Sequence, residues 1–136
     1  MIDQIEKTKN PHQILVVDDN ADAAHMLCEL LEMMGHSVRA VNDPKTAIPL
    51  AEAVPPSVFI LDIGMPGMDG YELGSELRKN HPGATYIAHS AWKRNPKREE
   101  QTGFSFNYFL QKPMALNDCL ALLEMIPVNV SPSKHS

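Results

Sequence analysis

Four short apolar runs punctuate the chain: QILVV at 13–17, SVFIL at 57–61, ATYIA at 84–88 and FNYFL at 106–110. Continuous apolar character suits strands buried on both faces. A fifth run, SVRAV at 37–41, alternates apolar and polar residues, which predicts a strand at a sheet edge with one exposed face. The segments between the runs carry helical spacing. The best of them, Asn20 to Met34, sets Ala23, Ala24, Leu27, Leu30, Leu31 and Met34 on one face and is followed by Gly35, a suitable left-handed stop. Asp43 can cap a second helix that begins with Pro44 and runs to about Ala53, with Pro49 as a weak point inside it. Asp69 can cap a third over about Gly70 to Asn80. Asn95 and Pro96 open a short fourth over 96–104, and a fifth spans about Leu116 to Met125 before Pro127 stops it.

Five strands alternating with five helices predict an α/β fold with a parallel, doubly wound sheet and helices on both faces. In an open sheet of this kind the functional site lies beyond the carboxyl ends of the strands. Polar residues stand there: Asp18 and Asp19 after the first strand, Asp62 after the third, Ser90 after the fourth and Lys112 after the fifth. One carboxylate at a strand end is an ordinary loop cap. Three converging on one rim repel, and each raises the pKa of the others unless a cation neutralises them. Mg²⁺, or Mn²⁺ in its place, fits that need, because it takes one or two carboxylates and keeps positions for phosphate oxygens. Lys112 adds a point positive charge suited to phosphate, and Ser90 a hydroxyl. A carboxylate nucleophile, a metal, a hydroxyl and a lysine together describe phosphoryl transfer to an aspartate.

Asp18, Asp19, the stretch LDIGMPGMDG at 61–70, Ser90 and the pair Lys112-Pro113 resemble the receiver domain of two-component signalling over about residues 12–126. In motif style the chain is similar to receivers of hybrid histidine kinases or to free-standing single-domain receivers. The steps of 43 residues from Asp19 to Asp62, 28 to Ser90 and 22 to Lys112 fall in the family's range. The resemblance implies a flavodoxin-like sheet in the order 2-1-3-4-5, with residues 1–11 an N-terminal extension and 127–136 a tail. It implies Asp62 as phosphoacceptor, Asp19 as a direct Mg²⁺ ligand, Asp18 as a ligand through water, and the Gly64 carbonyl as a further ligand. Ser90 would turn toward the phosphoryl group, Lys112 would pair with a phosphate oxygen, and the bond before Pro113 would be cis. Phe109 falls at the aromatic switch position. Gly64 and Trp92 fall at two positions that tune phosphoryl lifetime: Gly64 has no side chain to orient a water and Trp92 can shield the site, so slow loss of the group is expected. The implied donor is a histidine kinase or histidine phosphotransfer protein, and the implied output is through a downstream protein.

Several residues depart from that pattern or lie outside it. Ser105 stands where the family has glycine before the fifth strand, and Gly103 is expected to supply the backbone freedom. Lys93, Arg94, Lys97 and Arg98 form a basic island, read either as a solvated face or as a docking patch for an acidic partner. The six histidines show no metal-ligand spacing, and His89 reads as an interior strand residue. Met33, Met34 and Met125 read as core, while Met65 and Met68 lie in the loop after Asp62.

At 136 residues the chain fits one domain, and its formal charge of −5 argues against nucleic-acid binding through phosphate neutralisation; no DNA-binding domain is expected. Cys28 and Cys119 fall in apolar helical patterns and read as reduced thiols. With a polar N-terminus and no apolar stretch long enough for a membrane span, a cytoplasmic location is expected. Two other functions compete. One is a phosphate-independent pseudo-receiver acting as an interaction module, which usually lacks one of the acidic or lysine residues kept here. The other is a phosphatase or phosphotransferase with an aspartyl-phosphate nucleophile; haloacid-dehalogenase-like enzymes carry a second Asp two residues after the first, where this chain has Gly64.

Overall fold

The computed structural model describes residues 7–113 and 115–127. In chain order the elements are β1 (Gln13–Val17), α1 (Ala21–Met33), β2 (Ser37–Val41), α2 (Pro44–Ala53), β3 (Val58–Leu61), α3 (Gly70–Asn80), β4 (Thr85–Ser90), α4 (Pro96–Thr102), β5 (Tyr108–Gln111) and α5 (Leu116–Met125). The strands form one parallel sheet in the order β2-β1-β3-β4-β5, a doubly wound, flavodoxin-like arrangement with β2 at an edge.

The period-two geometry of the strands divides the core into two layers. Ile14, Val16, Ile60 and Ile87 point to one face and pack with Leu27 and Leu31 of α1 and Leu122 and Leu123 of α5. Leu15, Val17, Phe59 and Leu61 point to the other and pack with Ala47 and Ala51 of α2 and Tyr71, Leu73 and Leu77 of α3. All four residues of β3 are buried, as a central strand covered on both sides requires. Asn20, Asp43, Asp69 and Asn95 each cap the helix that follows by accepting a backbone N–H.

Differences from the sequence reading concentrate after α3. Strand β4 ends at Ser90, where the sequence places the end of the fourth strand, although its apolar run stops at 88. Strand β5 begins at Tyr108, because Phe104 and Phe106 turn into an aromatic cluster below α3. Phe104 meets Tyr86 at 5.3 Å between ring centroids, and Phe106 meets Tyr71 at 5.2 Å. Asn107 bridges to the neighbouring strand, its side-chain oxygen accepting the Tyr86 N–H at 2.7 Å. Helix α4 stops at Thr102 rather than 104, where Gly103 takes a left-handed φ of 72°; no described non-glycine residue has positive φ, so Ser105 does not supply the turn. Met125 is not core: it is 62% exposed, because the buried stripe of α5 is Cys119, Leu122, Leu123 and then Ile126, and Met125 falls opposite. Met34 is buried as expected, and both cysteines are free.

At the amino ends of the strands, Thr8 donates its N–H to the Met34 carbonyl at 2.7 Å and Asn10 Nδ2 donates to the Ile126 carbonyl at 2.7 Å. Beside them the buried rings of His12 and His36 stack at 5.5 Å, and the His12 backbone N–H donates to His36 Nδ1 at 3.0 Å. A nitrogen that accepts cannot also carry a proton, so the fold holds His36 neutral. Burial first, then the adjacent His12, lowers its pKa, against a weaker upward pull from Glu124. Burial, then Lys112, pushes His89 down to about 4.

Histidines whose folded pKa is depressed support the fold fully above the unfolded value and lose that support as pH falls through it. The urea midpoint is therefore expected to fall as the pH drops from 6.5 toward 4, the interval between the unfolded and folded values of His89. His36→Asn, which keeps an acceptor for the His12 amide without titrating, should flatten the upper part of that slope. Urea titrations at several pH values check this; equal slopes in wild type and variant would count against it.

Candidate functional site

Ladder hydrogen bonds run one residue past the strands at the carboxyl rim. The Asp18 N–H donates to the Val41 carbonyl at 3.2 Å and the Asp62 N–H to the Val17 carbonyl at 2.9 Å. These bonds fix two neighbouring carboxylates before any side-chain interaction is considered. With Asp19 they bring three carboxylates to one point, with one oxygen from each within 4.8 Å of the others. Asp18 and Asp62 are 2% and 8% exposed, and Asp19 is exposed.

Lys112 answers that charge. Its Nζ donates to Asp18 Oδ2 at 2.8 Å and to Asp62 Oδ2 at 3.3 Å. Its backbone N–H donates to the Ser90 carbonyl at 2.9 Å, and the bond to Pro113 that follows is cis. The remaining oxygen of Asp62 accepts the Gly64 N–H at 3.2 Å, and that of Asp18 accepts the Asn20 N–H at 3.0 Å. The Ser90 hydroxyl oxygen accepts the Trp92 N–H at 3.0 Å, which leaves the hydroxyl proton free to be donated.

The loop after Asp62 is shaped by close approach. A Cβ on Gly70 would lie 2.6 Å from the Asp62 carbonyl oxygen, so only glycine lets α3 start against the end of β3. On the other side of the loop the Trp92 indole lies over Gly64: a Cβ there would come 3.2 Å from Nε1. Trp92 and Phe109 are 68% and 39% exposed, and with Ser90, Arg94 and Gln111 they line a cavity of about 280 Å³. A larger groove of about 770 Å³ runs between α1, β2 and α2, lined by His25, Cys28 and Arg39 among others, and contains none of Asp18, Asp19, Asp62, Ser90 and Lys112.

The electrostatics follow from burial and from like charge. Asp62 has its pKa raised, by burial first and by the Asp18 carboxylate second, while the Gly64 N–H and Lys112 oppose the rise. Burial works against the Lys112 ammonium, but the Asp18 hydrogen bond and the Asp62 charge outweigh it and hold its pKa above the ordinary value. With all three carboxylates ionised, one ammonium leaves an excess of two negative charges. The donors are hard oxygens converging on one point, and that set suits a divalent Mg²⁺ or Mn²⁺ ion.

The sequence reading named Asp18, Asp19, Asp62, Ser90 and Lys112, and all five stand at this rim. It did not name Asn20 as a partner of Asp18, nor Tyr71, whose hydroxyl oxygen accepts the Asn95 N–H at 2.8 Å. Nothing in spacing marks Tyr71, since an aromatic on the buried face of α3 reads as core. The basic island is partly spent within the chain: Arg94 pairs with Glu99 at 2.7 Å and Arg98 with Asp69 at 2.8 Å, leaving Lys93 and Lys97 exposed.

The response regulator receiver domain profile matches residues 14–124. The chain belongs to that family. The receiver is 36% identical over 115 residues to an uncharacterised 14.6 kDa protein of Leptolyngbya boryana, covering 83% of this chain and 86% of that protein. It is 29% identical over 122 residues to the response regulator MprA of Mycolicibacterium vanbaalenii, covering 90% of this chain but only 53% of MprA. The chain thus spans about half the length of that curated relative. Among solved structures, the chemotaxis protein CheY4 of Vibrio cholerae superposes with a TM-score of 0.75 at 23% identity, over 84% of this chain and 97% of that one. The receiver domain of a Francisella response regulator superposes with a TM-score of 0.72 at 26% identity, over 85% and 95%. Within the described residues of this receiver no helix is long and apolar enough to cross a membrane.

A buried carboxylate with a raised pKa costs stability above its unfolded value and returns it as the pH falls through the folded one. At pH 7 without divalent cations, Asp62→Asn should therefore stabilise the receiver, read as a rise in Tm. Millimolar Mg²⁺ should raise the wild-type Tm by mass action, and less so in Asp19→Asn. Calorimetry with and without Mg²⁺ checks both expectations.

Proposed function

We propose that this receiver is a phosphorylation-switched signalling protein that accepts a phosphoryl group on Asp62 from the phosphohistidine of a histidine kinase or histidine phosphotransfer protein. The observation that carries the reading is the buried Asp62 carboxylate held beside Asp18 and Asp19 with Lys112 bridging two of them. Asp18, Asp19, Asp62 and the Gly64 carbonyl would hold Mg²⁺, or Mn²⁺ in its place. When bound, the ion supplies neutralising charge for the phosphoryl oxygens.

In the transfer an Asp62 oxygen attacks phosphorus, the P–O bond forms as the P–N bond breaks, and the donor imidazole leaves with the electron pair. Lys112 is the mobile cation of the site and turns from the carboxylates to a phosphoryl oxygen. Ser90, with its proton unused, donates to another. The modification adds about −1.5 to −2 charges and three acceptors, enough to redraw the hydrogen bonds of the rim. As Ser90 turns inward, Phe109 follows from its outward position into the space beside it. A downstream protein reads the result.

Loss of the group is hydrolysis: a water oxygen attacks phosphorus, the Asp62 oxygen leaves with the electron pair, and the water's proton passes to solvent. Gly64 presents no side chain to orient that water and the Trp92 ring lies over it, which supports slow turnover. Gly64 also stands where phosphate-ester hydrolases of the haloacid-dehalogenase type carry a second Asp, so we assign no activity on free substrates. The complete acidic and lysine set weighs against a phosphate-independent interaction module. We place the receiver unit at 12–126 and the protein in the cytoplasm.

Incubation with acetyl phosphate and Mg²⁺ should add one phosphoryl group to the wild type and none to Asp62→Asn, read by intact mass. Gly64→Asn and Trp92→Ala should each shorten the lifetime of the adduct. Absence of any adduct, from acetyl phosphate or from a phosphohistidine donor, would sink the reading. Turnover of many esters per chain would favour the enzyme, and partner binding indifferent to phosphodonor would favour the interaction module.

A further inference from the structure

Helix α4 is weakly anchored. It has seven residues, Pro96 to Thr102, and buries none of them. A helix of that length does not hold itself together in water, so a few polar bonds to α3 and its preceding loop decide where it sits. Arg98 sets its guanidinium on the Asp69 carboxylate, Nε to Oδ2 at 2.8 Å and Nη2 to Oδ1 at 3.1 Å. Asn95, the N-cap of α4, donates its backbone N–H to the Tyr71 hydroxyl oxygen at 2.8 Å. Both α3 partners flank Gly70, the residue pressed against the backbone of Asp62 and Ile63, and Asp69 also caps α3 through the Glu72 N–H at 2.8 Å. The same two residues therefore shape the loop after Asp62 and hold the start of α4.

Only residues 91–94 lie between Ser90, the end of β4, and Asn95. They carry Trp92, whose indole lies over Gly64. One end of this short span is fixed in the sheet and the other by Asn95 and Arg98. Trp92 is 68% exposed, so its own burial contributes little to keeping it there. Its place over the site depends on the anchored end.

We propose that the Asp69–Arg98 ion pair and the Tyr71–Asn95 hydrogen bond form a latch that keeps Trp92 closed over Gly64 and so limits the access of water to a phosphorylated Asp62. This rests on the reading of Asp62 as acceptor and assigns how its signal lifetime is set. Arg98 and Tyr71 are positioning residues, acting through the loop rather than on the phosphoryl group. The side chains of Arg98 and Asp69 are 30% and 29% exposed, so solvent screens the pair and the latch opens readily. By the same geometry, a partner that draws Arg98 away from Asp69 frees the Trp92 loop and shortens the signal.

Trp92 is the chain's one tryptophan, so acrylamide quenching of its fluorescence reads the lid without any phosphorylation. Quenching should rise in Arg98→Ala and Tyr71→Phe, and the phosphoryl adduct should decay about fivefold faster, the shift expected from one typical hydrogen bond. Arg98→Lys, which keeps the charge but not the fork, should fall between them and the wild type. In a Trp92→Ala background, Arg98→Ala should change the lifetime no further. The latch is refuted if quenching and lifetime in both variants equal the wild type, or if the effect of Arg98→Ala persists undiminished without Trp92. A wild type that takes no phosphoryl group refutes the acceptor reading itself, and with it the lid's role, whatever quenching shows.

Discussion

The rim of this sheet is organised by a repulsion that the backbone imposes. Val17 and Leu61 pair in register on adjacent parallel strands, so the next residue of each, Asp18 and Asp62, places a carboxylate beside the other, and both are buried. Two anions at low exposure raise the free energy of the folded chain unless a cation intervenes. Lys112 is that cation, and it arrives from beyond β5, with β4 lying between its strand and β3. A long flexible stem is what lets one ammonium cross that distance and touch both acids. Ser90 fits the same scheme, since it closes β4 in the gap that the lysine spans and its carbonyl holds the Lys112 amide.

Most of this was legible in the chain because two strong signals coincide. Apolar runs locate strands buried on both faces, and the polar residues that close them, Asp18, Asp62, Ser90 and Lys112, locate the carboxyl rim. The α1 face from Ala24 to Met34 and the caps Asp43 and Asp69 were readable for the same reason: spacing and local hydrogen-bonding chemistry act over a few residues. The misjudged stretch follows β4, where neither signal holds. By hydrophobicity Phe106 looks like the start of a strand, and by spacing Phe104 looks like the end of the fourth helix, yet both join the cluster around Tyr86 and Tyr71 instead. Met125 failed differently, since its apolar character says nothing of which side of α5 it occupies until the buried stripe at Cys119, Leu122 and Leu123 is phased. Tyr71 was missed because its ring is core and only its hydroxyl, at the far end, reaches Asn95.

The two ends of the sheet carry different kinds of polar burial. At the amino end, His36 is held neutral by accepting the His12 amide, and His12 Nε2 lies 3.3 Å from the Leu123 carbonyl oxygen. At the carboxyl end the buried groups are charged and in excess of their counter-charge. Two apolar layers lie between these ends, and close-packed interiors have no continuous range of alternative packings. A change of charge at the rim is therefore absorbed by whatever is held least by apolar contact. Among the described elements that is α4 and the loop before it, which buries no helical residue and hangs on hydrogen bonds to Asp69 and Tyr71.

Adding a dianionic group to Asp62 makes worse the conflict that burial and Asp18 already create, so the modified chain cannot relax by small adjustments of the carboxylates alone. Two cations are tied to the rim and its loop: Lys112, held by two acids, and Arg98, held by Asp69, whose backbone leads directly to Gly70 and so to Asp62. Lys112 can turn to the phosphoryl group without leaving its strand end. Under the proposed acceptor role, its departure from Asp18 and Asp62 would bear on the loop that Gly64 ties to Asp62, which leads to Asp69. Near the rim, the start of α4 is held by polar bonds rather than by apolar burial, so it is the place where a change of charge at Asp62 would become a change of shape at the surface.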